Sequence, residues 1–233
     1  MVSSTYYYDH IAGNYNCHMT DSDNSVRKEV IKIFKANIPG GNILDFGGGT
    51  GLDLPGLLSD QYKVFFLEPS ANMRAIAIES VSEKPRKPVI IEERVNFQQW
   101  SDNHLPFTEK MNGVLANFAV LNCISDVDSL FEKLAIICAP FCYIQATVID
   151  VRPLKMIKTH ALKVAAKILF NRQLITRNYF NGIAQDTYLH TLQKYKSASG
   201  KYFNLVSYNS IHSSNFALLI LSRNEIAYKK TTL

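Results

Sequence analysis

The sequence predicts an α/β fold built on a parallel sheet, and three observations carry that prediction. Apolar, β-rich runs alternate with helix-forming stretches through the first two thirds of the chain. The first of these runs, Ile43-Leu44-Asp45-Phe46, leads straight into the turn Gly47-Gly48-Gly49-Thr50-Gly51. The second, Lys63-Val64-Phe65-Phe66-Leu67, ends in a lone carboxylate, Glu68. Strands that alternate with helices lie parallel and cross over right-handedly, because each helix must pack back onto the sheet it left.

The elements follow in order. Two helices are expected before the sheet, over residues 4–20 and 24–37, with Tyr8 and Tyr15 seven apart on one face of the first. After the glycine turn, Leu52–Ser59 reads as helix, and Ser70 is placed to cap another that begins at Ala71-Asn72-Met73. Strand four is expected at Asn112–Asn117, a helix at Val127–Cys138 and strand five at Phe141–Val148. In Pro153–Phe170, Leu154, Ile157, Ala161, Val164 or Ala165, and Ile168 form one stripe of helical period, with Lys155, Lys158, Lys163 and Lys167 largely elsewhere. Asp186–Ser197 reads as helical, and Tyr202–Tyr208 and Asn215–Ser222 as strands joined by Asn209–Ser214. A chain of 233 residues with 47% hydrophobic content can bury one sizeable core. The expectation is therefore a single domain over 1–233, with an N-terminal helical segment at 1–37 and a helical insertion at 151–198.

The strand, the glycine turn and the later carboxylate suit an adenosine-type cofactor held at the carboxyl edge of the sheet. A dinucleotide fingerprint would need its third glycine at position 52, which is Leu52; the glycine comes one residue earlier, at Gly51. The spacing Asp45-x-Gly47-x-Gly49-x-Gly51 resembles motif I of the class I S-adenosylmethionine-dependent methyltransferases. The ligand's chemistry agrees with the turn. S-adenosylmethionine carries an ammonium, a sulfonium and a ribose diol but no phosphate, so it calls for acceptors: Asp45 near the amino-acid end and Glu68 on the ribose.

The resemblance extends along the chain. It implies a Rossmann-like, seven-stranded, mostly parallel sheet with an antiparallel last strand, helices on both faces, and a helical lid between strands five and six. Tyr8-Asp9-His10-Ile11-Ala12-Gly13-Asn14-Tyr15-Asn16 is similar to the aromatic-Asp leader of small-molecule methyltransferases, which lies as a flap over the cofactor; Asn16 stands where the family usually has Asp. Pro69-Ser70-Ala71-Asn72-Met73 resembles the turn whose Met packs on adenine, although a Met at a helical position is also ordinary core. Aligning back from Leu105-Pro106-Phe107 puts Ser101 at the adenine-amino position, with Asp102 one residue along as its replacement. Phe118–Asp126 resembles the segment lining the methyl-transfer face, and Asn112-Gly113 replaces the usual Phe-Asp ahead of strand four. The implied cofactor site is Tyr15, Asp45, Gly47, Gly49, Gly51, Glu68, Pro69, Met73, Ser101, Asp102, Asn117, Leu121 and Asn122.

Methyl transfer from a sulfonium is an in-line displacement that positioning alone can accelerate strongly, so neither a metal nor a covalent nucleophile is expected. An oxygen acceptor of high pKa would gain about 10²–10⁴-fold from a general base; the candidates are His10 and His18 in the flap and His190, with His10 foremost because the flap should lie over the cofactor, the other reading being an exposed or capping histidine. The flap, the apolar lid and the lack of a nucleic-acid module point to a small, lipophilic or aromatic organic acceptor, with O-methylation favoured. The rival reading is a non-catalytic partner subunit of the same fold, suggested by the departures at Asn16, Ser101 and Asn112-Gly113.

Charge and cysteine content add bounds. The net charge of +5 is local: between Val151 and Gln185 there are seven basic residues and no Asp or Glu. That face is open to three readings, a solvated surface, contact with an anionic carrier protein or membrane surface, or steering of an acidic acceptor. It lacks the interleaved aromatics of a single-strand nucleic-acid platform. Cys17, Cys123, Cys138 and Cys142 lack zinc-site spacing and are expected as reduced thiols. The longest apolar stretch, Leu134–Ile144, is short of the roughly 20 residues a membrane span needs, and no cleavable signal is evident, so a cytoplasmic protein is expected.

Overall fold

Side chains alternate between two apolar layers along the strands of one large sheet. The computed structural model describes residues 4–151, 173–212 and 214–224. Helices α1 (Ser4–Tyr15) and α2 (Asp21–Asn37) lead into strand β1 (Gly41–Phe46), the short helix α3 (Leu54–Leu57) and strand β2 (Tyr62–Leu67). Helix α4 (Ala71–Ser80), strands β3 (Val89–Ile91) and β4 (Met111–Ala116), helix α5 (Val127–Ile137) and strand β5 (Cys138–Ile149) continue the alternation. Strands β6 (Gln173–Phe180) and β7 (Ile183–His190), helix α6 (Leu192–Ser199), and strands β8 (Phe203–Ser210) and β9 (Phe216–Arg223) complete the described chain.

The seven-stranded sheet has the order β3-β2-β1-β4-β5-β9-β8. Strands β1 to β5 pair in parallel, and β9 is antiparallel to both β5 and β8. The predicted α/β sheet with an antiparallel final strand is what forms. Odd and even positions separate cleanly. Leu44, Phe65, Leu67, Val114 and Ile144 face α5 and α6 through Leu130, Phe131, Leu134 and Tyr195. Ile43, Val64, Phe66, Leu115 and Ile220 face α2 and α3 through Val30, Phe34, Leu54 and Leu57. Period-2 alternation thus covers both faces with helices.

Local chemistry explains several boundaries. Thr20 starts α2 with a capping box: its hydroxyl accepts Asp23 N–H at 3.1 Å while Asp23 Oδ2 accepts Thr20 N–H at 2.9 Å. The family departure at Asn112-Gly113 has a packing reason. A Cβ on Gly113 would lie 2.4 Å from Ile38 Cδ1, so the small residue lets the end of α2 seat against the sheet. Asn112 Oδ1 accepts Asn42 N–H at 2.9 Å, fastening the start of β1.

The described part of the insertion expected to be helical, from residue 173 on, differs. The insertion's amphipathic stretch, Pro153–Phe170, lies in 152–172, outside the described residues, as do most of the basic residues of the 151–185 segment. Residues 173–190 form a β-hairpin instead of lid helix, and the helix expected over Asp186–Ser197 begins only at Leu192. The reason is the two-residue turn Asn181-Gly182, with φ of +48° and +78°, which is the backbone that closes a tight hairpin. Thr191 then caps α6 by accepting Lys194 N–H. The third strand lies at Val89–Ile91, well ahead of Leu105-Pro106-Phe107. Among the described residues no helix is long and apolar enough to cross a membrane.

Candidate functional site

The carboxyl ends of β1, β2 and β4 open into a cavity of about 380 Å³, a size suited to a small-molecule ligand. Its base is the turn after β1. Gly47 and Gly48 N–H groups both donate to Leu67 O, at 2.7 and 3.3 Å, which draws the turn onto the end of β2. Gly47 has φ +71°, and a Cβ there would lie 2.6 Å from Val120 Cγ1, so both backbone and space demand glycine.

Glu68 closes the far side of the turn. Its Oε2 accepts Gly49 N–H at 2.9 Å and its Oε1 accepts Ser70 N–H at 2.8 Å. Burial raises its pKa, opposed by those two N–H groups and by Arg74. Arg74 Nη1 donates to the Pro69 carbonyl at 2.9 Å and also reaches Glu68 O, bracing this loop. Pro69 and Met73 line the cavity beside Glu68, and Asn96, Phe97 and Gln98 form the next part of its wall.

Asp45 sits beneath the turn rather than in the cavity wall. It is 1% exposed and neither carboxylate oxygen has a hydrogen-bond partner. Burial drives its pKa well above the usual aspartate range, Asp53 adds to the rise, and Arg27 opposes it. Arg27 itself pairs with Asp53 at 2.6 Å and lies over the Phe118 ring, 4.3 Å from its centroid. Asp53 also accepts Asn117 Nδ2 at 2.9 Å, and Asn117 Oδ1 accepts Phe118 N–H and the Thr147 hydroxyl. This network holds Phe118 and Ala119 at φ +55° and +61°, turning the chain sharply after β4 so that Asn117, Phe118 and Val120 reach the cavity.

Helix α1 forms the roof. Ser4, Thr5, Tyr8 and Tyr15 line the cavity from above. The helix is fastened at its middle and just past its C-terminal end. Asp9 Oδ1 accepts the Ser70 hydroxyl at 2.6 Å and Asn72 N–H at 3.1 Å, and Asn16 Oδ1 accepts the Thr50 hydroxyl at 2.6 Å. The amide at position 16 therefore still receives a hydrogen bond from the glycine turn. Tyr8 and Tyr15 meet edge to face, 6.4 Å between centroids, and burial pushes the Tyr15 phenol up to about 12. The Tyr8 hydroxyl reaches across to Cys123 Sγ at 3.3 Å.

Of the predicted residues, the structure brings together Tyr15, Gly47, Gly49, Glu68, Pro69, Met73 and Asn117. It places the others differently. His10 is exposed, with Nδ1 2.8 Å from Tyr6 O and its ring against Tyr6, so it does not face the cavity. Ser101 and Asp102 are exposed in a turn closed by Ser101 and His104; Asn96–Gln98 occupy the wall instead. Gly51 packs beneath the turn, where a Cβ would lie 2.8 Å from Ala77 Cβ. Leu121 is core, and Asn122 is fully buried as a bridge, donating to Tyr188 O at 2.7 Å and accepting Ile149 N–H at 3.0 Å. Residues missed by the sequence reading are Ser4, Thr5, Asn96, Phe97 and Gln98, whereas Cys123 falls in the Phe118–Asp126 segment expected to line the transfer face; aligning from Val95-Asn96 instead of from Leu105 points to the last three. No group of three or more potential metal-ligating side chains occurs among the described residues.

No curated protein sequence matches the chain. Among solved structures, a DhpI complex with SAM and HEP superposes with a TM-score of 0.69 at 15% identity, covering 96% of this chain and 100% of that one. CalS10, an amino pentose methyltransferase from Micromonospora echinaspora solved with SAM, gives 0.61 at 13% identity, covering 92% and 96%. NodS, an N-methyltransferase from Bradyrhizobium japonicum WM9 solved with S-adenosyl-L-homocysteine, gives 0.62 at 9% identity, covering 96% and 100%. At such identities the likeness is one of fold. The family comparison reaches further: a methyltransferase domain family matches residues 18–193, well over half of the chain, and the protein belongs to that family.

Proposed function

We propose that this methyltransferase-family protein transfers the methyl group of S-adenosylmethionine to a small organic acceptor. The observation that carries the reading is Glu68. It is a buried carboxylate at the carboxyl end of β2, beside a glycine turn and facing the same cavity as Met73. Its oxygens accept backbone N–H groups, which holds the carboxylate fixed where a ribose diol could donate to it. Gly47 and Gly49 would let the ligand approach the backbone, and Asn96–Gln98 with Met73 would border the adenine.

Tyr15, Tyr8 and Phe118 would surround the sulfonium with aromatic faces, which favour positive charge by about 0.5–2 kcal/mol each and exclude water. The methyl donor supplies the electrophile when bound; the chain's own part is to hold donor and acceptor in line. The structures named above hold SAM or its product in the same fold, and they include an amino pentose methyltransferase and an N-methyltransferase. These support a small-molecule acceptor. We keep a lipophilic or aromatic acceptor on the strength of the apolar and aromatic wall formed by Tyr8, Phe118, Val120 and Ile124.

The test is calorimetric titration with S-adenosylmethionine, S-adenosylhomocysteine and NAD in parallel. Selective binding of the sulfonium pair is expected, and Glu68→Ala should weaken it by about 1.5–3 kcal/mol, the loss of hydrogen bonds to a charged group. Preference for NAD, or unchanged affinity in a folded Glu68→Ala protein, would overturn the assignment.

A further inference from the structure

The Tyr8 hydroxyl and the Cys123 sulfur lie 3.3 Å apart, and both residues line the cavity. We propose that Tyr8, with its hydroxyl hydrogen committed to Cys123, orients an acceptor amine by accepting one of its N–H hydrogens, so that the protein methylates nitrogen rather than a hydroxyl oxygen. The proposal rests on the reading of the cavity as a methyl-transfer site.

The direction of the contact follows from the two groups. A phenol O–H is a strong donor, whereas a thiol is weak in either role, so the hydrogen lies between Tyr8 Oη and Cys123 Sγ and is donated by the phenol. That leaves the Oη lone pairs to accept. A neutral amine can give one N–H to Oη and keep its lone pair for the methyl carbon. An alcohol has one hydrogen and must lose it in the course of attack, which requires a base.

The cavity wall favours the first case. Glu68 is the only carboxylate among the described lining residues, and the proposed function assigns it to the ribose diol of the cofactor. The expected base, His10, is bonded to Tyr6 O on the outside of the roof. Tyr8 and Cys123 both hold their protons more tightly than usual. For Tyr8 the nearby Cys123 is the larger cause and burial the next; for Cys123 burial dominates. Neither is a base at neutral pH. For an amine the balance is simple: the N–C bond forms from the nitrogen lone pair as the S–C bond breaks, the thioether leaves with that electron pair, and the new ammonium releases its proton to water.

The position of Tyr8 is set by tertiary contacts. Tyr7, Tyr8, Tyr15 and Phe180 pack with Ile11 and Met73, and Gln185 Nε2 donates to Ser4 Oγ at 2.9 Å, so the β6–β7 hairpin bears on the roof helix.

The experiment uses the full chain and matched probes of one shape, 4-propylaniline with 4-propylphenol and benzylamine with benzyl alcohol. Methyl incorporation from labelled S-adenosylmethionine is read for each, and binding of 4-propylaniline to the protein loaded with S-adenosylhomocysteine is read by calorimetry. Incorporation into the amine of at least one pair is expected, at more than tenfold the rate of its hydroxyl partner. Tyr8→Phe keeps the aromatic face but not the hydroxyl and should weaken 4-propylaniline binding about three- to tenfold, the worth of one neutral hydrogen bond. Cys123→Ala frees the phenol hydrogen and should narrow the amine preference. Methylation of the hydroxyl member, of neither member, or unchanged amine binding in Tyr8→Phe would overturn the amine assignment. Intact S-adenosylmethionine binding in those cases would leave the broader reading standing, and loss of that binding in the unmodified protein would remove both.

Discussion

The carboxylate of Asp9, on the roof helix, accepts the hydroxyl of Ser70 at 2.6 Å, and that same hydroxyl accepts Met73 N–H at 3.2 Å to cap α4. One short chain of hydrogen bonds thus links the N-terminal helix to the loop that carries Glu68. The negative charge also lies at the N-terminus of α4, where unpaired N–H groups favour it.

Asp9→Asn should keep the shape of this contact but remove its charge. We expect S-adenosylmethionine affinity to fall by about 1 kcal/mol, with a smaller change in Tm, because the roof helix is loosened more than the sheet core. Calorimetry paired with limited proteolysis of the first 20 residues checks this; equal protease resistance and equal affinity would remove the clamp from the account.

Asp45 predicts a pH dependence. Its folded-state pKa lies above its unfolded value, because burial and Asp53 disfavour the charge. The folded form therefore binds the proton more tightly, and the resulting stabilisation is full below the ordinary aspartate range and is lost as pH rises through the folded value. Glu68 shifts in the same direction. The ligand-free protein should lose stability from mildly acidic towards neutral pH on account of these groups, and Asp45→Asn should flatten that decline. Each kcal/mol of relief corresponds to about 2–4 °C in Tm for a chain of this size, so thermal melts at several pH values resolve it.

The glycine turn offers a paired test. Gly47 and Gly49 have φ of +71° and +58°, so Ala at either costs about 1–2 kcal/mol for the left-handed backbone. Only at Gly47 does the new methyl collide, with Val120, whereas nothing lies within 4 Å of a Cβ on Gly49. Denaturant melts should show Gly47→Ala as the more destabilised, by a further 1–3 kcal/mol for overpacking. Equal losses would mean that Val120 moves aside at no cost.

Asn122 was expected to touch the cofactor and instead joins the hairpin to β5. Asn122→Ala leaves Tyr188 O and Ile149 N–H without that partner, at a cost of about 2–4 kcal/mol. The loss should appear in Tm, with ligand affinity of the folded protein within threefold of the original. A folded variant that lost affinity selectively would restore the ligand role.

The parts legible in the sequence are those whose determinants are local. Alternation in Ile43–Phe46 and Lys63–Leu67 places each side chain on a known face. The spacing from Asp45 to Gly51 rests on backbone geometry that only glycine adopts readily, and Glu68 follows because a strand end is readable from its apolar run. Asn181-Gly182 is legible too, as a hairpin turn, although the helical period of Pro153–Phe170 ahead of it favours helix. Tertiary structure alone decided the rest. Whether His10 or Tyr8 faces the cavity depends on how α1 docks, through Asp9 on Ser70 and Asn16 on Thr50, contacts between residues 61 and 34 positions apart. Pairing Tyr8 with Cys123 spans 115 positions. Such contacts are chosen by the packing of whole elements, and no local pattern in the chain encodes them.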